Sequence, residues 1–119
     1  MSKDNRNIYL YERTRSFEER SSESNRIKKK YPKRIPIIVE GDKQVELKKN
    51  KYLVPYGMSI AMFIHHLRKS VALEADEGFF LFVEGTLPAI AGTMGALYIE
   101  YKRSDGFLYC LICKESTYG

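Results

Sequence analysis

The residues with the clearest chemical potential are two cysteines, two histidines and a terminal glycine. Cys110 and Cys113 spell C-x-x-C, a spacing used in zinc sites and in thiol–disulfide chemistry. The run around them, FLYCLIC, reads as a strand, on which positions i and i+3 point to opposite faces. No second cysteine pair is present to complete four ligands, so buried, unreactive thiols are expected. His65 and His66 are adjacent in a helical pattern, about a quarter-turn apart, whereas a helical metal site needs i, i+4 spacing. No nucleophile–base pair and no phosphate loop is recognisable. No catalytic residue, metal or cofactor is therefore expected, and the chain does not read as an enzyme. The sequence ends Ser116-Thr117-Tyr118-Gly119. A terminal glycine carries no Cβ, so its carboxylate can enter a narrow tunnel and offer an unhindered carbonyl to a thiolate or amine. Many chains end in glycine by chance, and on the residue alone that reading stays open.

The elements that must position these groups follow from the hydrophobic pattern. The chain has 119 residues, 44% hydrophobic with 9 Tyr and 6 Phe, enough for one folded domain. No apolar run is long enough to span a bilayer, and charged side chains interrupt the first twenty positions where a signal peptide would need an apolar core. Two cysteines cannot make a disulfide framework, which suits a reducing, cytoplasmic setting. The net charge of +5 is uneven: residues 1–34 hold 11 Lys/Arg against 5 Asp/Glu, and residues 35–119 hold 9 against 10. A basic arm precedes a near-neutral body. That excludes a uniformly basic nucleic-acid domain.

In the arm, Ile8, Tyr9, Leu10, Tyr11, Phe17 and Ile27 are the main apolar points. From Ser16 the pattern predicts a helix with Phe17, Arg20, Ser24 and Ile27 on one face. Its stripe is thin, so it must dock on something larger. Glu18 and Glu19 in the first turn and Lys28 to Lys30 in the last suit the helix dipole, and Pro32 ends it. RIPIIVE reads as a strand with Ile35, Ile37 and Val39 on one face and Pro36, Ile38 and Glu40 on the other. KYLVP is a short strand that Pro55 confines to an edge, with Lys51 and Leu53 on one face and Tyr52 and Val54 on the other. Ser59 caps a helix running to Ser70, lined by Ile60, Phe63, Ile64, Leu67 and Val71. FFLFV is continuously apolar and is expected to be an interior strand. A short helix spans 93–102, and Asp105-Gly106 turns the chain into a last strand apolar on both faces. The expected architecture is an α+β roll, a mixed sheet crossed by one main helix behind a helical arm.

The strings FEERSSESNRI, YPKRIPIIVE, KYLVP, FIHHLRK, FFLFVEGTLP, GTMGALYIEYK and SDGFLYCLICKESTYG, in this order, narrow the choice. Together they resemble the autophagy ubiquitin-like modifiers of the GABARAP type, over roughly residues 11–119. The resemblance implies a ubiquitin-like β-grasp roll with an N-terminal helical extension. It divides the chain into a basic arm (1–33), a β-grasp core (34–115) and a flexible conjugation tail (116–119). Three features depart from the family pattern: a shorter connection GDKQVELKKN, Ala89 where a second Pro is usual, and His66 where an aliphatic residue is common.

By that resemblance, Gly119 is the conjugation residue. Activating and conjugating cysteine enzymes would carry it through thioesters to the amine of phosphatidylethanolamine, and a processing or delipidating cysteine protease would act on the same end. Cargo receptors bearing aromatic-x-x-aliphatic motifs would pair with the short edge strand. Glu23, Ile27, Pro36, Ile38, Lys51, Leu53 and Phe107 would line the aromatic pocket. Tyr52, Val54, Pro55, Met58, Phe63 and His66 would line the aliphatic one, while Lys49, Lys51 and Arg68 would meet acidic flanking residues. From the residues alone, the outward Ile38 and Leu53 are better read as covered by the N-terminal helix, since apolar residues that look exposed are usually covered. The basic run through Lys28, Lys29 and Lys30 reads as a solvated helix end, a contact for an anionic membrane surface, or a phosphate-binding strip. The resemblance favours the membrane over nucleic acid. It implies a cytoplasmic protein that reaches the autophagosome membrane when conjugated. A soluble, non-conjugated peptide-binding adaptor in membrane trafficking is the competing reading.

Overall fold

The computed structural model describes residues 9–117. Four strands, β1 (Arg34–Gly41), β2 (Lys51–Pro55), β3 (Phe79–Phe82) and β4 (Leu108–Lys114), form one sheet in the order β2-β1-β4-β3. The central pair β1·β4 is parallel, with Ile37 opposite Leu108, and the two outer pairs are antiparallel. Helices α1 (Leu10–Thr14) and α2 (Phe17–Lys30) lie N-terminal to the sheet, α3 (Ile60–Arg68) follows β2, and α4 (Met94–Tyr101) precedes β4. The chain closes on a single helical turn over Glu115–Thr117.

The helices begin where side chains satisfy otherwise unpaired amides. Ser59 accepts from the Met62 N–H at 3.0 Å and Thr93 from the Ala96 N–H at 3.1 Å. Ser16 makes a reciprocal cap, accepting from Glu19 N–H at 3.1 Å while Glu19 accepts from Ser16 N–H at 2.8 Å. The S-x-x-E spelling at 16–19 is the sequence signal for that cap.

One sheet face carries the main core. Ile35, Ile37 and Val39 of β1 and Leu108, Cys110 and Ile112 of β4 pack with Ile60, Phe63 and Leu67 of α3 and with Met94 and Leu97 of α4. The opposite face carries a smaller cluster of Tyr9, Tyr11, Ile38, Phe107 and Tyr109, with Ile27 and Leu111 against it. The apolar run FFLFV is not interior: β3 is an edge strand, with Phe79 and Leu81 buried and Phe80 and Phe82 half-buried. The two outer-face phenylalanines sit opposite Cys113 and Leu111 of β4, an apolar neighbourhood that makes an edge read like a centre.

The thin stripe of α2 docks through polar groups. Arg20 and Ser24 are its buried residues, while Phe17 is exposed. Arg20 Nε donates to Asp105 Oδ2 at 2.9 Å, and Ser24 Oγ donates to the Asp105 carbonyl. Asp105 also accepts from the Tyr109 hydroxyl and, at 2.9 Å, from the Phe107 N–H. Gly106 has φ +94°, and a Cβ there would strike Ser24 Oγ, so this turn needs glycine for both conformation and space.

Candidate functional site

The edge strand β2 has one side of its backbone unpaired within the sheet, and its two faces meet different surroundings. On the core side, Val54 is buried and the Tyr52 ring meets Phe63 edge-on at 5.6 Å. The Tyr52 hydroxyl is buried without a hydrogen-bond partner among the described residues. Met58 packs against the same core, whereas Pro55 and His66 are exposed. Lys49 Nζ lies 4.9 Å from the Tyr52 ring centre. Arg68 is exposed and donates to the Glu77 carbonyl, beyond the far end of α3.

On the outer side, Pro36 stands opposite Leu53 and Ile38 opposite Lys51. Lys51 Nζ bonds Glu23 Oε2 at 2.7 Å and lies 5.1 Å from the Tyr11 ring centre. Tyr11 donates its hydroxyl to the other Glu23 oxygen. Burial would raise the Glu23 carboxyl, but the Lys51 and Tyr11 hydrogen bonds outweigh it and hold the pKa below its ordinary 4.5. Burial first, and then the bond to Glu23, push Tyr11 up.

Of the two readings left open for Ile38, the structure shows the covered one. Ile38 does lie on the outer face, yet it is 0% exposed, and Phe107 is 1% exposed. Tyr11 packs edge-on to Phe107 at 5.4 Å and Tyr9 lies 5.0 Å from Tyr109, so the N-terminal segment covers this end of the sheet. Leu53, Ile27, Glu23 and Lys51 remain partly accessible around that closed floor. The sequence displays Tyr9 and Tyr11 as apolar points, but their target is a hundred residues away and leaves no local sign.

The basic run divides into a docked and an exposed part. Lys28 is half-buried: its ammonium donates to the Tyr56 hydroxyl and sits 4.8 and 5.1 Å from the Tyr56 and Tyr98 ring centres. It fastens the end of α2 to the body, leaving Lys29 and Lys30 as the exposed members. Cys110 and Cys113 are both buried free thiols, and burial pushes the Cys110 thiol far up, away from reactivity. Among the described residues, no group of three or more His, Cys, Asp or Glu could hold a metal, and no helix is long and apolar enough to cross a membrane. Gly119 lies outside the described residues.

A mixed sheet with a parallel central pair, one main helix packed on its core face and two leading helices define a ubiquitin-like β-grasp protein. A family model described as "Autophagy protein Atg8 ubiquitin like" matches residues 19–119, and the chain belongs to that Atg8 family. It is 46% identical over 106 residues to "Autophagy-related protein 8a" of Arabidopsis thaliana, with 87% of each chain covered. Among solved structures it is similar to Trypanosoma brucei ATG8, with TM-score 0.83, 34% identity and coverage of 90% of this chain and 95% of that one. It is also similar to Plasmodium falciparum Atg8 in complex with a Plasmodium falciparum Atg3 peptide, with TM-score 0.77, 31% identity and coverage of 88% and 95%. Proteins of this family are ubiquitin-like modifiers of autophagy, not enzymes.

Proposed function

We propose that this modifier is conjugated through Gly119 to phosphatidylethanolamine and recruits partners to the autophagosome membrane through β2. The observation that carries the docking part is the free edge at Lys51–Pro55, flanked by partly accessible apolar side chains on both faces. An extended peptide pairs its main chain with such an edge and sends alternate side chains to either face. An aromatic anchor would seat by Leu53, Ile27 and Lys51, displacing or sliding beneath Tyr11 to approach Ile38 and Phe107. An aliphatic anchor would seat by Tyr52, Val54, Met58 and Phe63, with His66 at its margin. Lys49 and Arg68 would meet acidic flanks. The Atg3-peptide complex of the Plasmodium relative supports a conjugating enzyme among the partners. Cargo receptors, the activating enzyme and the delipidating protease follow from the same reading, as does the division into arm (1–33), core (34–115) and tail (116–119).

Two measurements test it. Peptides with an acidic flank and an aromatic-x-x-aliphatic core are titrated against the wild type and Leu53→Ala, which should lose about 1–3 kcal/mol of binding. Reconstitution with the cysteine enzymes and vesicles should give a lipid-linked form for the wild type and none when Gly119 is deleted. A deletion mutant that is still lipidated removes the conjugation reading, while a wild type that binds peptide but is never joined to lipid favours the soluble adaptor.

A further inference from the structure

Adjacent histidines on a helix diverge by about 100°, so His65 and His66 alone make a poor pair of ligands. Met62 alters that count. It precedes them by three and four residues on α3 and is 48% exposed, and both histidines are exposed as well. At about 100° per residue, His65 falls about 60° to one side of Met62 and His66 about 40° to the other, each one turn further along. Residues at those offsets are neighbours on the helix surface. The thioether therefore stands between the two imidazoles. The rings approach each other, with centres 6.0 Å apart and planes at 62°. With metal–nitrogen bonds of about 2 Å, two imidazoles on opposite sides of one ion have ring centres about 6 Å apart. The backbone beneath is fixed: Met62 N–H donates to Ser59 Oγ at 3.0 Å, and Lys69 N–H donates to the His66 carbonyl at 3.2 Å. Phe63 and Leu67, buried in the core on the other side of α3, keep this face turned outward.

The donor set selects the ion. Helix α3 reads IAMFIHHLR and contains no carboxylate, so it offers nothing to hard cations such as magnesium or calcium, which take oxygen ligands. Structural zinc sites close with four ligands, chiefly thiolate and imidazole. A thioether beside imidazoles suits Cu(I), a soft ion whose filled d shell is satisfied by two or three neutral ligands. Its single charge also suits a surface on which Lys69 is exposed, four residues beyond His65. We propose that Met62, His65 and His66 form a surface site for a soft monovalent metal ion, Cu(I), held by one nitrogen of each imidazole and by the Met62 sulfur. Cys110 and Cys113, the softer ligands of the chain, are buried and take no part. The site stands whether or not β2 docks peptides.

The test titrates the full chain, kept anaerobic, with Cu(I) supplied as its acetonitrile complex and followed by NMR, since the ion is diamagnetic. The Met62 methyl and the His65 and His66 ring signals should shift together and level off at one ion per chain. The β4 signals around Cys110 and Cys113 should stay in place. Met62→Leu, a change at an exposed position, should weaken binding roughly tenfold or more, since losing even an outer-shell partner costs a metal site that much. His65→Gln and His66→Gln should each weaken it further. Mg(II) should move none of these signals, and Zn(II) should not displace the bound Cu(I). A wild type whose signals do not respond, equal affinity in Met62→Leu, shifts centred away from α3, or displacement by Zn(II) would each overturn the proposal.

Discussion

The two faces of the sheet are held by different physics. Beneath α3 and α4, aliphatic and aromatic side chains make a continuous apolar core from Phe63 and Leu67 to Leu108 and Ile112. Beneath α1 and α2 the apolar cluster is small, and buried ions carry the rest: Arg20 with Asp105 at 2.9 Å, and Arg103 with Glu12 at 2.6 Å and Glu84 at 2.7 Å. Apolar packing tolerates small shifts because it is non-directional, whereas a buried ion pair holds only while both partners and their hydrogen bonds are in place. The α1–α2 layer is therefore the part that a single polar substitution can release as a unit.

The largest effect should come from the apolar face. Phe63→Ala should lower stability by about 3–5 kcal/mol in urea denaturation, as expected for a fully buried aromatic. It should speed hydrogen exchange throughout the sheet. Asp105→Ala should cost about 3 kcal/mol by leaving Arg20 buried without its partner, and should speed exchange mainly over residues 10–30. If both variants accelerate exchange evenly over the whole chain, the two faces unfold as one and the distinction fails. Lys28→Gln, which removes the ammonium from between Tyr56 and Tyr98, should cost about 1 kcal/mol and free the last turn of α2. Burial lifts the Tyr98 hydroxyl to about 12, so its hydrogen bond to the Gly106 carbonyl keeps its proton over the neutral range.

The smallest effect separates two carboxylates of the ionic face by sign. Desolvation raises the Glu12 pKa above its ordinary 4.5, outweighing the attraction of Arg103. Its contribution to stability is present below that value and lost as pH rises through the raised one. Glu23 is held low, so its contribution is present above the ordinary value and lost as pH falls. Denaturation midpoints of Glu12→Gln should therefore gain on the wild type as pH rises from acid to neutral, while those of Glu23→Gln should fall behind. Parallel pH profiles for all three proteins would remove both assignments.

Much of the fold was legible because it depends on local spacing. Ile60, Phe63 and Leu67 mark one helix face, Ser59 its start, and Pro55 an edge strand, whereas Val71, expected on the same helix face, lies past the helix end at Arg68 and bridges to Leu47. The run FFLFV misled because two outer-face phenylalanines beside Leu111 and Cys113 mimic a strand buried on both sides. At the candidate site, Lys51, Leu53, Tyr52 and Val54 were placed on opposite faces by strand alternation alone. The cover over Ile38 was not legible. It depends on Tyr9 and Tyr11 meeting Phe107 and Tyr109, and on ion pairs that join residues 85 and 91 positions apart. No periodicity reports such pairings. Nor does a lysine in a basic run announce that it is held between two tyrosines.

The parallel pairing of β1 with β4 sets an order of events during synthesis. The ribosome delivers β1 early, but its central neighbour only when Leu108–Lys114 has emerged. Until then β1 can form no more than its hairpin with β2, and its other edge stays open. The anchors of α1 and α2, Arg103 and Asp105, arrive just before that strand. The α1–α2 segment, made before any strand of the sheet, is thus among the last to be seated. Long-range closures of this kind form slowly and leave strand edges open meanwhile. A nascent chain stalled before residue 103 should hold the β1–β2 hairpin and α3 but carry an undocked, basic N-terminal segment, available to whatever anionic surface or chaperone it meets.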